Sequence, residues 1–199
     1  MARNHSALIL DGSLGHGCVA LLALSGPQKG DLVVADSGEP QRSHLERIAT
    51  LLPSEASRAE LSAIVVGVGP GSYTGIRAAS AAAAGVAAAL NLPIIAIPSD
   101  RALYAAANEV GGETVVFPLG TREVLVIREA GSEIAAHADA PASADLARVA
   151  SRLPHAFANL ASTALSAALT SAARGEAPLR GEIQLRYPSP PRGVEGRGV

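Results

Sequence analysis

Residues 67 to 75 read GVGPGSYTG, between an apolar run, LSAIVV, and an alanine-rich run, IRAASAAAAGVAAAL. Gly67, Gly69, Gly71 and Gly75 permit positive φ and close backbone approach. Pro70 stiffens the turn, and Ser72 and Thr74 can cap a helix that begins near Gly75. The free N–H groups of a helix start hold anions, so the segment could cradle a phosphate. It is not a Walker A loop, because no Lys follows the last Gly, and it is not the G-x-G-x-x-G of a dinucleotide fold. Ser72 does not stand in a Gly-x-Ser-x-Gly elbow. A tight strand-to-helix turn is the competing reading. Arg77 lies in the first helical turn, where the macrodipole disfavours a cation by up to ~1 kcal/mol. That implies an anionic neighbour (a carboxylate, a phosphate or an acid on another protein) or a side chain swung out to water. The histidines are His5, His16, His44, His137 and His155; none are four apart, so no two share a helix face as metal ligands. Cys18 sits in a strand-like run and reads as a small core residue.

These residues must be positioned by something. ALILD (7 to 11), GCVALLAL (17 to 24) and DLVVAD (31 to 36) are apolar runs separated by short Gly/Pro turns, which predicts an antiparallel meander. Leu45, Ile48, Leu51 and Leu52 then recur at helical spacing, with Ser43 as N-cap and Pro53 at the end. LSAIVVGV, the alanine run 75 to 90, LPIIAI (92 to 97) and SDRALYAAANEV, capped by Ser99, continue as strand, helix, strand, helix. The order β-β-β-α-β-α-β-α describes a ribonuclease-H-like half. Actin-like ATPases combine two such halves. TVVFPLG, REVLVIRE and SEIAAHA predict a second, shorter meander. ADLARVASRL and Ala156 to Ala173 follow as two helices, with HAFANLA the one place for a further strand. The expected division is 1–108 as the first subdomain, 109–175 as a shortened second one and 176–199 as an irregular tail.

Asp11 ends the first strand, where an actin-like ATPase has an Asp that helps to hold metal-nucleotide; a turn Asp before Gly is the plain alternative. FPLGTREV, in the place of a second phosphate loop, has neither Asp nor a glycine-rich run, which argues against nucleotide hydrolysis by this chain alone. From Ala78 to Ala89 every side chain is Ala, Ser, Gly or Val. Such a helix suits tight packing within one domain, or packing both on its own sheet and on a partner's helices.

Composition sets the frame. The chain has 199 residues, 48% hydrophobic, with a net charge of −2, so it is globular and has no global pull toward nucleic acid. Nothing reaches the ~18 apolar residues of a membrane helix. One cysteine and a start without a signal-peptide pattern point to the cytoplasm.

GVGPGSYTGIR, the small-residue helix and NLPIIAIPSD resemble the bacterial TsaB (YeaZ) family. RSHLERIATLLP is similar to that family's His-containing helix, with His44, Glu46, Leu52 and Pro53 in the matching places. ILDGS resembles its Ile-Asp-Thr-Ser start with Gly12 for Thr, and QLRYPSP its Tyr-Leu-Arg-x-Pro ending with Gln184 for Tyr. The likeness covers residues 7 to 108, whereas the second half is shorter than usual and lacks the family's Asp-Ala-Arg segment near Leu119 to Glu123. The resemblance implies an actin-like ATPase fold with a degenerate second half. It also implies a non-catalytic subunit serving threonylcarbamoyladenosine synthesis on tRNA. The implied partners are TsaD, paired through the helices at 43–52 and 75–90, and the ATPase TsaE. For the chain alone both a homodimer and a monomer stay open, and tRNA is contacted indirectly. ATP and metal are then expected on partner subunits, with no cofactor here. Candidate interface residues are His44, Ile48, Tyr73, Thr74, Arg77, Ala78, Ala82 and Gly85, and Asp11 marks a vestigial nucleotide site. An active ATPase, transferase or protease of the same fold is the alternative. Direct tRNA binding through Arg180, Arg186, Arg192 and Arg197 is a third reading.

Overall fold

The computed structural model describes residues 5–15, 17–35, 43–176 and 183–187. Strands β1 (Ser6–Asp11), β2 (Cys18–Ala23) and β3 (Leu32–Val34) form the antiparallel meander, and β4 (Leu61–Gly67) and β5 (Ile94–Ile97) join it in parallel. The sheet order is β3-β2-β1-β4-β5. Helices α1 (His44–Leu51), the short α2 (Glu55–Ala59), α3 (Tyr73–Leu90) and α4 (Ser99–Glu109) fill the connections. The expected alternation is thus present, with α2 added between Pro53 and β4.

Alternation along the strands sorts the core into two faces. Leu8, Leu10, Val19, Ile64 and Val66 point to one side, where Ile48 of α1 and Ala79, Ala82, Ala83 and Ala87 of α3 cover them. Ala7, Ile9, Cys18, Ala20, Ala63 and Val65 point to the other, against α4 and a long final helix. Ser43 caps α1 in a capping box with Glu46, as its position predicts. The apolar spacing on α1 is corrected at one place: Leu45 is 62% exposed, and the inward position belongs to Arg47. A guanidinium nitrogen of Arg47 donates to the Gly17 carbonyl at 2.8 Å, which no leucine could do.

The second meander is also present: β6 (Val115–Pro118), β7 (Glu123–Arg128) and β8 (Gly131–Ala136) form a three-stranded antiparallel sheet. The two helices expected after it are one, α5 (Leu146–Ala173), and HAFANLA lies inside it, not in a strand. Pro154 removes one helical hydrogen bond, a loss of about 3 kcal/mol. Burial of Val149, Leu153, Phe157, Ala161 and Leu165 along one stripe outweighs it, at about 1.5–3 kcal/mol for each large side chain. That stripe packs into the same core as β1, β2 and β4, so the end of the chain closes the open face of the first sheet.

Candidate functional site

The loop between β4 and α3 is where the sequence signal is strongest. Ser72 caps α3, accepting from the Gly75 N–H, and α3 starts at Tyr73, two residues before the expected position. A Cβ on any of its four glycines would strike the chain itself. At Gly67 it would overlap the Asp11 carboxylate and approach Phe157. At Gly69, where φ is +92°, it would overlap the Arg186 carbonyl. At Gly71 it would meet the Ser13 carbonyl at 2.5 Å, and at Gly75 the carbonyl of Gly12. Gly12 answers in kind, since its own Cβ would overlap Gly75. Of the positive φ that all four permit, only Gly69 uses the left-handed region; Gly71 is nearly extended, and Gly67 and Gly75 have no positive φ. Gly71 and Gly75 provide close contact between backbones, and Gly67 makes room for the Asp11 carboxylate and the Phe157 ring. The Gly69–Pro70 peptide is cis.

Behind the loop lies Asp11, with no exposed surface. One carboxylate oxygen accepts from the backbone N–H and the hydroxyl of Ser13. The other accepts from the Ser99 hydroxyl at 2.8 Å, and that hydroxyl accepts from the Gly69 N–H at 2.9 Å. The Ser99 N–H in turn donates to the Gly69 carbonyl at 2.8 Å. Ser99 is thus not the cap of α4, whose N-cap is Pro98; its hydroxyl ties β1 to the glycine loop. Burial raises the Asp11 carboxyl above the usual carboxylate range, against the hydrogen bonds of Ser13 and Ser99 that pull it down. Burial likewise lowers the His44 imidazole, whose Nε2 stands 3.5 Å from the Asp11 carbonyl, and pushes the Cys18 thiol up. Two serines and a glycine backbone close in the Asp11 carboxylate, and Asp11 also lines a cleft between the two halves of the chain. Among the described residues, no group of three or more His, Cys, Asp and Glu could hold a metal ion.

A cleft of about 970 Å³ opens between the two halves of the chain, bounded by Val19 and Val34 on one side and by Phe117, Leu146 and Pro154 on the other. Its described walls carry no Lys or Arg, so they offer a phosphate chain no cation. FPLGTREV forms the β6–β7 turn, closed by Leu119 N–H to the Glu123 carbonyl.

The candidate interface residues divide. Tyr73, Thr74, Arg77, Ala78 and Gly85 lie on the exposed side of α3, and His44 is half-buried. Ile48 and Ala82, 8% and 7% exposed, belong to the protein's own core and are removed from the outer face. Helical geometry explains it: Ala79, Ala82, Ala83 and Ala87 form one stripe turned to the sheet. Arg77 has aromatic neighbours where an anion was expected. Its guanidinium lies 4.5 Å above the Tyr73 ring, and its Nε donates to the Tyr187 hydroxyl at 3.2 Å. Sequence reasoning missed Ser13, Arg47, Asp100 and Tyr187. Only Asp100 carried a signal, as an acid in the first turn of a helix. Of the four tail arginines, Arg186 alone is described, and it pairs with Asp100 at 3.2 Å. Arg180, Arg192 and Arg197 lie outside the described residues.

A sheet of this order with helices on both faces, followed by a second meander, defines a ribonuclease-H-like protein of the actin-like ATPase class. Residues 39–150 match the family model described as TsaD, tRNA N6-adenosine threonylcarbamoyltransferase. That is more than half of the chain, and the chain belongs to this TsaD/YeaZ-type family. Uncharacterized proteins of Mycobacterium tuberculosis and Mycobacterium bovis are 35% identical over 91 residues, 43% of this chain. The match spans only 38% of those relatives' length. The crystal structure of an uncharacterized protein with similarity to peptidase YEAZ, from Pseudomonas aeruginosa, has the same fold. It is 24% identical, with a TM-score of 0.51 over 72% of each chain. YeaZ from Pseudomonas aeruginosa is 28% identical, with a TM-score of 0.48 over 66% of this chain and 64% of that one.

Proposed function

We propose that the chain is a non-catalytic subunit that docks on a TsaD-type transferase. In that role it supports threonylcarbamoyl transfer to the tRNA adenosine beside the anticodon. One observation carries the reading. Every glycine of the loop that could cradle a phosphate is already packed against the protein's own atoms, and Asp11 is sealed behind it. The site that would do chemistry in an ATPase has become a structural joint. What the joint holds outward is α1 and α3, with Leu45, Glu46, Tyr73 and Arg77 exposed and the rest of the outer side of α3 built of small residues. Small residues let another helix approach closely, and a few large ones anchor it.

On this reading ATP and metal belong to the partners, TsaD and TsaE, and tRNA is reached through them. A second copy of this chain would use the same face when no partner is present. The place of action is the cytoplasm, where tRNA is modified; among the described residues no helix is long and apolar enough to cross a membrane.

The test is co-expression with the TsaD-type transferase of the same organism, followed by pull-down and mass-spectrometric measurement of the modified nucleoside. The reading expects a stable complex and modification that depends on the chain. It also expects negligible ATP turnover by the chain alone. Robust turnover abolished by Asp11→Ala would instead make the chain an enzyme.

A further inference from the structure

The segment 183–187 has no regular secondary structure, yet it is fastened at several points. Ile183 packs against the core beneath α3. The Arg186 N–H donates to the Val68 carbonyl at 2.7 Å, and its carbonyl lies against Gly69. Its guanidinium pairs with Asp100, a buried carboxylate that also accepts from the backbone of Arg101 and from the Ser132 hydroxyl. Tyr187 then leaves the glycine loop and reaches the start of α3. Its ring stands 5.0 Å from that of Tyr73, at 38°, and its hydroxyl accepts from Arg77.

Arg77 is thus held from two sides on the exposed side of α3. Among the described residues no carboxylate pairs with it. An unrestrained arginine gives up rotamer freedom when it binds. This one is already fixed on an exposed face, and a fixed guanidinium fork matches a carboxylate with two parallel hydrogen bonds. Nucleic acid fits the face less well, because Arg77 is the only cation on α3 and the helix's other exposed residues are uncharged.

Resting on the pairing proposed above, we infer that residues 183–187 are a strap that preorganises Arg77 to receive an Asp or Glu side chain of the transferase partner. The two ends of this contact are far apart in sequence, and the glycine loop between them is what lets the strap lie flat.

The experiment is isothermal titration of the full chain into the TsaD-type transferase, with melting temperature measured for each variant. Tyr187→Phe keeps the ring and removes only the hydroxyl, so folding should be unaffected. It should weaken binding roughly 3- to 10-fold, the worth of one hydrogen bond. Arg77→Gln should weaken it by at least about tenfold and flatten its dependence on salt. In the double variant Tyr187→Phe should add nothing, because the hydroxyl acts only through Arg77. No binding by the wild-type chain sinks the pairing and the strap together. Wild-type binding with an inert Tyr187→Phe, with additive effects, or with tighter binding when the hydroxyl is removed, sinks the strap alone. Binding of tRNA to the isolated chain that Arg77→Gln abolishes would also overturn it.

Discussion

Two buried serines undergo the same substitution in opposite surroundings. Ser99 is fully buried, and its hydroxyl donates to Asp11 and accepts from the Gly69 N–H. Ser80, 6% exposed in the middle of α3, has a buried hydroxyl with no hydrogen-bond partner among the described residues. Ser99→Ala deletes two hydrogen bonds and strands a buried N–H and one carboxylate oxygen. Each stranded group loses about 1–3 kcal/mol, so the variant should lose on the order of 3 kcal/mol. At about 2–4 °C per kcal/mol for a chain of this size, the melting temperature should fall by roughly 6–12 °C. Ser80→Ala removes a hydroxyl that was desolvated for nothing, and it gains up to ~0.7 kcal/mol of helix propensity. Its melting temperature should hold or rise by a degree or two. Thermal melts by circular dichroism at pH 7 would compare them directly. Equal losses in both variants would refute the claim that Ser99 is a joint and not merely a well-packed small residue.

Other outcomes follow from the same contacts. Gly71→Val should unfold the chain or lower its melting temperature by more than ten degrees or so, because the new atoms would meet the Ser13 backbone, which cannot swing away. The pH dependence has two signed parts. Asp11 has a raised folded pKa, so the folded state holds that proton more tightly, and its contribution to stability falls as pH rises above 3.8. His44 has a lowered one, so its contribution is lost as pH falls below 6.5; His44→Gln should flatten denaturation midpoints between about pH 5 and 7. Charged substitutions on α3 should separate its two faces. Ala82→Glu with Ala83→Glu should destabilise the monomer itself, whereas Ala81→Glu with Gly85→Glu should leave it folded and block partner binding. Circular dichroism followed by pull-down would check both pairs.

The first sheet was legible because its strands are short apolar runs and the turns between them carry Gly and Pro. The second meander was legible for the same reason. α5 was read as two helices because Pro154 is a local signal, while the stripe that overrides it is a tertiary one. Leu45 and Arg47 were exchanged for a related reason. Spacing names a helix but not the partner of each residue, and the Gly17 carbonyl that Arg47 satisfies is thirty residues away. Tyr187 could not have been placed at all, since a short irregular segment gives no periodicity. Alanine hid the orientation of α3, because both its faces are built of the same side chain.

The glycine loop shows why the phosphate question could not be decided from spacing. Glycine is needed wherever something comes close to the backbone, and spacing does not say what comes close. In an anion site the visitor is a phosphate, and the N–H groups must be free to face it. Here the visitors are Ser13, Gly12, the Asp11 carboxylate and the Arg186 carbonyl, all from the same chain. Three of the loop's N–H groups are spent accordingly: that of Gly69 on Ser99, that of Ser72 on Ser13 and that of Gly75 on the cap. A donor used internally is not free to face a ligand, but it holds its neighbours in place. Rigidity at this point fixes the start of α3, and through it the exposed face that carries Tyr73 and Arg77. On the proposed reading, the residues that would make a nucleotide site in an ATPase serve here as a mount for a docking surface.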